Sequence, residues 1–456
     1  MEFSAERDNE LFAAAPAAAA VFVLRGEAGS EPYVGKSSNL RRRLQRLLGE
    51  AEGQSRKLNL RERVRSVEWT RTGSDFEAGL VLYKTLRREF PSTYSDRLKL
   101  RFAPLVKMIL DNPYPRATVT TRISGRAARR VFRDAGARRG ESPQGLKPLS
   151  NEALKGTAEA VPLHNQRRDD QGETAPAQNQ KMGNEIDAEY YGPFGTRVAA
   201  ERFANDSLDL FKMRRCVEDL NPDPAFPGCI YSEMKMCLAP CFKGCTDEEY
   251  AAEVGRVQEF FASAGQSLVR EIAKMRDEAS ANLDFEGAAA LHARLEKVKA
   301  ATAQLPEIVR RLDELNGLMV QPSADKDSVA LFKIVAGRIC DPVRLDVASK
   351  SEAAHMQAKP QSMESRIHEA LAGVEVPKAG SALEWMEHLA LLKRWYYRTI
   401  KVGELFFTES TGELPMRRVV RGVSRVFKGE RPVGDLSETA GEYWRYRAAE
   451  GGVKPS

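Results

Sequence analysis

Tyr33-Val34-Gly35-Lys36-Ser37-Ser38-Asn39-Leu40-Arg41-Arg42-Arg43-Leu44 is the stretch on which the reading of this chain turns. Upstream stands a second apolar run, Ala20-Val21-Phe22, and Gly26-Glu27-Ala28-Gly29-Ser30 lies between the two, so the pattern predicts a β-hairpin. Ser38 and Asn39 then cap an arginine-rich helix. At 100° per residue, Leu40, Leu44, Leu47 and Leu48 share one face, Arg41 and Arg43 flank it, and Arg42 and Arg46 point to solvent. A guanidinium held at the edge of a packed seam can grip phosphate with two parallel bonds. Tyr33 would lie beside that helix, Gly35 would permit a close backbone approach, and Lys36 would add a point charge. Such a surface suits a phosphodiester; a solvated basic face on an ordinary α/β domain is the other reading, and composition alone favours it.

The bounds set by composition are broad. A chain of 456 residues is expected to hold about two to four domains, each with its own core. Lys and Arg exceed Asp and Glu by only six, 70 against 64. The charge is unevenly spread, however. Lys36 to Arg71 carries eleven basic residues against four acidic ones, an excess that attracts a polyanion and makes binding salt-dependent. No run is long and apolar enough to span a bilayer. The Ala-rich piece from Leu11 to Leu24 follows Glu2, Glu6, Asp8 and Glu10, where a signal peptide would carry positive charge, so it is read as the entry to the first strand of a cytoplasmic protein.

Further along, Val67 to Thr70 predicts a strand and Ser74 to Phe90 a helix, with Phe76, Leu80, Leu82, Tyr83, Leu86 and Phe90 on its apolar face. From 123 to 188 the chain is polar and poor in large apolar residues, so a disordered insertion is expected. Five of the six cysteines then fall between Cys216 and Cys245. Thiolates at Cys216, Cys229, Cys237 and Cys241 could close around tetrahedral zinc or a cubane iron-sulfur cluster, and spacing does not choose between them. Glu248 to Lys299 reads as two helices, and Gly317 to Val347 alternates as strands. Ser381 to Thr399 is an amphipathic core helix, and the basic, Gly-rich residues after Gly412 suggest a short strand pair with a loose tail. The fold class is therefore α+β: a small antiparallel sheet with flanking helices, a cysteine-cluster region, a helical hairpin and a mixed α/β segment. The expected division is 1–122, 123–188, 189–247, 248–303 and 304–456.

Ala20-Val21-Phe22, Tyr33-Val34-Gly35-Lys36 and Asn39-Leu40-Arg41-Arg42-Arg43 together resemble the GIY-YIG nuclease signature, in the form carried by UvrC-type proteins of bacterial excision repair. Tyr190-Tyr191-Gly192-Pro193-Phe194 and the cysteines continue the likeness, which covers about the first three quarters of the chain. Leu283-Asp284-Phe285-Glu286-Gly287-Ala288-Ala289-Ala290-Leu291 resembles the UVR motif, a helical hairpin that pairs with UvrB-like proteins. The resemblance implies double-stranded DNA as substrate, with Tyr33, Lys36 and Arg43 as catalytic candidates and Arg41, Arg42 and Arg46 as DNA contacts. It further implies a 4Fe-4S cluster on Cys216, Cys229, Cys237 and Cys241, zinc being the alternative, and a UvrB-like partner held by Leu283, Phe285 and Leu291.

Two departures bear on activity. The family's first signature tyrosine is Phe22 here, and the glutamate that would bind Mg2+ or Mn2+ is replaced by Tyr83 or, shifted by one, Leu82. Glu77 lies about 120° around the helix and roughly 9 Å along it, too far to deputise. His292-Ala293 also stands where the UVR motif usually ends in Arg-Asp. The expectation is thus either a UvrC-like repair protein making a single incision or a decayed DNA- and UvrB-binding adaptor. The family's second nuclease and its helix-hairpin-helix motifs are not recognised after about residue 350.

Overall fold

The computed structural model describes residues 1–4, 6, 8–50, 58–137, 188–218, 220–303, 305–347, 361–376 and 380–430, the side chains of 132–137 excepted. The chain opens with a short helix α1 (Asp8–Ala14), where the alanines had suggested only a lead into the strand, and continues through β1 (Ala20–Arg25), β2 (Tyr33–Ser37), α2 (Leu40–Leu48), β3 (Ser66–Arg71), α3 (Asp75–Glu89) and α4 (Tyr94–Leu98). The three strands form an antiparallel sheet in the order β2-β1-β3. The hairpin pairs Phe22 with Gly35, and a Cβ on Gly35 would come within 3.1 Å of the Phe22 ring, so only glycine fits without displacement. Asn39 caps α2, its side chain accepting from the Arg42 N–H at 3.0 Å. Leu40, Leu44, Leu47 and Leu48 are all buried, packing on Phe22 and Leu24 from one face of the sheet. On the other face lies α3, started by Ser74, whose hydroxyl accepts from the Glu77 N–H at 3.1 Å.

A second sheet follows, built from β4 (Leu105–Ile109), β5 (Arg116–Thr120), β6 (Ala188–Gly192) and β7 (Arg310–Arg311) in the order β5-β4-β6-β7. Between these strands run α5 (Gly125–Ala137), α6 (Arg197–Leu208), α7 (Ile230–Glu233), α8 (Asp247–Ala262), α9 (Gln266–Ala281) and α10 (Phe285–Ala303). Three expectations change here. Because β4 pairs with both β5 and β6, the sheet runs across the division expected at residue 122 and joins 105–120 to the region after 188. Residues 125–137 form a helix with Ala127, Ala128 and Val131 buried; the rest of the expected insertion, 138–187, lies outside the described residues. The stretch from 248 to 303 folds as three helices, because Gly265, at φ 86°, turns the chain between α8 and α9.

The remaining chain forms β8 (Gly317–Pro322), β9 (Ser328–Val335), β10 (Arg338–Ile339), β11 (Val343–Asp346), α11 (Met363–Ala372), α12 (Ala382–Tyr396), β12 (Glu404–Phe407) and α13 (Met416–Lys428). Its sheet runs β10-β9-β8-β12, with β11 also on β9, all antiparallel. One face packs α11 and α13 through Ile367, Leu371, Val419, Val423 and Val426. The strand pair expected after Gly412 is thus a helix, in which Gly422 leaves room for the Phe406 ring. The other face turns Met319, Phe332 and Ile334 toward Trp385, Leu389 and Trp395 of α12 and toward Phe76 and Tyr83 of α3, in one continuous core. No helix among the described residues is long and apolar enough to cross a membrane.

In that core, α12 presents a buried carboxylate. Glu387 accepts from the hydroxyls of Tyr83 and Tyr94, each at 2.7 Å, across more than 290 residues of chain. Burial, and then the carboxylate, push the Tyr94 hydroxyl up to about 12. Next to Glu387, His388 is buried and accepts the Ile339 N–H at Nδ1, 2.9 Å away, which requires an unprotonated Nδ1; burial pushes its imidazole down to about 4. Glu387→Ala is expected to lower unfolding stability by about 2–4 kcal/mol, since two buried hydroxyls lose their acceptor, as read by urea denaturation. His388 binds its proton more weakly folded than unfolded, so stability present above pH 6.5 is expected to fall as pH drops toward 4, by up to roughly 3 kcal/mol. The urea midpoint of His388→Gln should show a flatter pH dependence over that window.

Candidate nucleic-acid interface

The hairpin and α2 bring Tyr33 and Arg43 together: Arg43 Nη2 donates to the Tyr33 hydroxyl at 3.0 Å. The Phe22 ring lies behind, tilted, with its centroid 6.1 Å from that of Tyr33. Arg43 Nε is buried without a hydrogen-bond partner among the described residues. Alternation along β2 sends Tyr33 and Gly35 to the α2 side and Lys36 to the α3 side. Lys36 therefore does not join Tyr33 and Arg43 on one face; the two groups flank the unpaired edge of β2.

On the α3 side, Lys36 Nζ pairs with Asp75 Oδ1 at 2.5 Å, and Arg398, just beyond α12, pairs with Asp75 Oδ2 at 2.5 Å. Burial opposes ionisation of Asp75, but the two cations outweigh it and hold the carboxyl below its ordinary value. Of the three arginines expected to meet DNA, Arg42 and Arg46 are exposed on α2. Arg41 is not free in the same way, because it donates to the carbonyls of Ala15 at 2.9 Å and Ala13 at 3.2 Å, closing the end of α1.

The place where a cation-binding carboxylate was expected is closed. Tyr83 is only 1% exposed, its hydroxyl held by Glu387 and also accepting from Arg87 at 3.0 Å. Leu82, its neighbour, lines the cavity beneath α12. Glu77 points elsewhere, accepting the Gly73 N–H at 2.6 Å, and burial pushes its carboxyl up. These residues do not fit a Mg2+ or Mn2+ ion, which needs anionic oxygen ligands.

The cysteine region is a loop of tight turns, with Gly228, Lys235, Ala239 and Lys243 at positive φ. All six cysteines are free thiols. Burial first, and then the nearby thiols of Cys229, Cys241 and Cys216, push the Cys237 thiol up; burial and Cys229 do the same to Cys241. Cys245 is raised by burial, then by Glu249 and Asp247, and also by Cys237 and Cys241. Arg214, 1% exposed, donates to Cys216 Sγ at 3.3 Å. Four thiols in one loop beside the buried Arg214 cation fit a soft, thiolate-bound group in donor chemistry. Among the described residues, no three His, Cys, Asp or Glu side chains stand in metal-holding geometry. The helical pair α9–α10 exposes Leu283 and Phe285 at its tip, 73% and 67%, whereas Leu291 packs against the central core.

A family model described as "UvrC-like GIY-YIG domain" matches residues 18–94, and one described as "UvrC/Cho excinuclease, middle domain" matches 165–260. The chain is of UvrC type. UvrABC system protein C of Methanothermobacter thermautotrophicus is 23% identical over 326 residues, which is 71% of this chain and 44% of that protein. Its counterpart in Agrobacterium fabrum is 26% identical over 61% of the chain and 32% of its own length. That of Idiomarina loihiensis is 35% identical over 101 residues, 22% of the chain and 16% of its own length. The UvrC-type chain thus spans less than half the length of these relatives. No solved structure matches it. The first matched segment takes in Tyr83 and Tyr94, whose acceptor Glu387 lies outside both family-model matches. Sequence reasoning missed Asp75, Arg394 and Arg398 as neighbours of Lys36; the aromatic-basic tract Trp395-Tyr396-Tyr397-Arg398 was the available signal.

Gly35→Ala is expected to push β2 from the Phe22 ring, lengthening the Tyr33–Arg43 contact and costing about 1–3 kcal/mol of stability as overpacking does. Thermal unfolding measures the cost, and loss of Phe22–Tyr33 ring contacts in NMR measures the displacement.

Proposed function

We propose that this UvrC-type chain acts in nucleotide excision repair as a cytoplasmic DNA- and partner-binding factor that does not cut. The observation supporting it is that neither position at which the resemblance places the metal carboxylate offers one: Tyr83 is buried with its hydroxyl committed to Glu387, and Leu82, the alternative, is apolar. A metal ion supplies several kcal/mol to the transition state of phosphodiester cleavage. Without its ligand, Tyr33 and Arg43 can still orient and bind a phosphate: the guanidinium donates, the phenol positions it, and the exposed Arg42 and Arg46 add longer-range attraction.

The second reading, a live nuclease making one incision, draws support from the intact hydrogen bond between Tyr33 and Arg43. The two are separated by one assay. Purified chain with magnesium or manganese is expected to bind double-stranded DNA and leave it uncut, and Arg43→Ala to weaken binding. Metal-dependent nicking that disappears in Arg43→Ala would instead establish the nuclease.

Two further parts of the proposal rest on the family resemblance. Cys216, Cys229, Cys237 and Cys241 would hold a 4Fe-4S cluster, zinc being the alternative; when bound, such a cluster supplies a redox-capable or folding-stabilising centre. Anaerobic purification is expected to yield brown protein whose colour is lost in Cys237→Ala; colourless protein with one zinc per chain would select the alternative. The exposed tip residues Leu283 and Phe285 would seat a UvrB-like protein. Co-elution with such a protein should be lost in Phe285→Asp.

A further inference from the structure

Beneath α12 the UvrC-type chain forms an open cleft of about 210 Å3 whose wall comes from two distant segments. Lys36 and Arg97 reach it from the matched N-terminal part and its immediate continuation, Arg394 and Arg398 from α12 and the residues just after it. Four cations therefore share this wall with one carboxylate, that of Asp75, which pairs with Lys36 and Arg398. Arg97 is already paired with Glu31 and stacked on Phe90, 3.9 Å from the ring centroid. Arg394 is exposed and has no ion-pair or hydrogen-bond partner among the described residues. Positive charge is thus in surplus at this wall even after Asp75 is counted.

The cations are fixed by the fold. Trp395 is buried and donates from Nε1 to the Val402 carbonyl at 3.0 Å, while Lys393 donates to the Phe102 carbonyl at 3.2 Å, so the end of α12 is pinned on both sides. Arg398 is consequently presented to the cavity at a set distance, opposite Lys36, with Asp75 between them.

We propose that this cavity is a phosphate subsite for a nucleic-acid strand, in which α12 supplies Arg394 and Arg398 and the Asp75 carboxylate holds the phosphate's place until the strand arrives. A phosphodiester has the same unit charge as a carboxylate and likewise offers two oxygens, so it can take over both of Asp75's partners. Half-exposed ion pairs such as Lys36–Asp75–Arg398 are weak, so exchanging them for phosphate contacts is inexpensive. The unpartnered Arg394 adds attraction that Asp75 does not satisfy. The inference rests on the reading of the β2 edge as a DNA-binding surface and extends it to residues outside the matched segments.

The test measures duplex affinity of the full chain at several salt concentrations. Arg394→Gln and Arg398→Gln are each expected to weaken binding and to reduce the slope of log affinity against log salt by about 1. Asp75→Asn is expected to do the opposite and tighten binding several-fold, because the internal competitor is gone. Arg398→Lys keeps the charge and should retain the wild-type slope, which separates loss of a contact from loss of fold. Wild-type binding with unchanged affinity and slope in both glutamine variants would overturn the subsite while leaving the DNA-binding reading intact. Thermal stabilisation by inorganic phosphate, with DNA affinity unmoved in those variants, would assign the cavity to a free anion and overturn it likewise. No duplex binding by the wild-type chain at low salt would overturn the reading beneath it.

Discussion

A carboxylate removed from water must be hydrogen-bonded, and Glu387 meets that demand only by drawing on two tyrosines from the other end of the chain. This one requirement sets where α12 sits on α3 and α4. From that placement follow the sealing of Tyr83, the cleft beneath the helix and the presentation of Arg398 to Asp75. Arg87 supports the arrangement by donating to the Tyr83 hydroxyl and pairing with Glu384 on the same helix. Tyr83 thus serves cohesion, tying α3 to α12.

The sheet edge at β2 shows how a signature can be retained in sequence and divided in space. Tyr33 and Arg43 remain joined on the α2 side, whereas Lys36 turns to the α3 side and into an ion-pair chain with Asp75 and Arg398. An edge strand makes this arrangement workable, since side chains of both faces border the same rim. Phosphate attraction is long-ranged and tolerant of such placement.

What was legible in the sequence was local. Hairpin pairing, the leucine face of α2 and the Ser74 and Asn39 caps follow from alternation, helical period and short side-chain hydrogen bonds. The α+β class and the amphipathic nature of α12 were equally accessible. Which surface α12 would cover was not, because an apolar stripe states that burial occurs and not against what. The second sheet escaped for a related reason: β4 pairs with β6 across the polar segment that seemed to divide them. In α5 the signal was present but slight, since Ala127, Ala128 and Val131 are small residues lost among arginines. Position 83 was recognisable as altered, yet its new role depended on a partner about three hundred residues away.

That separation shapes how the molecule is made. During synthesis the first sheet and α2 can condense as soon as they emerge, because their contacts lie within about seventy residues of one another. The outward side of α3, with Phe76, Leu80 and Tyr83, must wait for α12. At elongation rates of about 5–20 residues per second, the 304 residues between Tyr83 and Glu387 take roughly 15–60 s to add. Throughout that interval an aromatic surface stands open on the nascent chain, a route to co-aggregation when translation stalls short of α12.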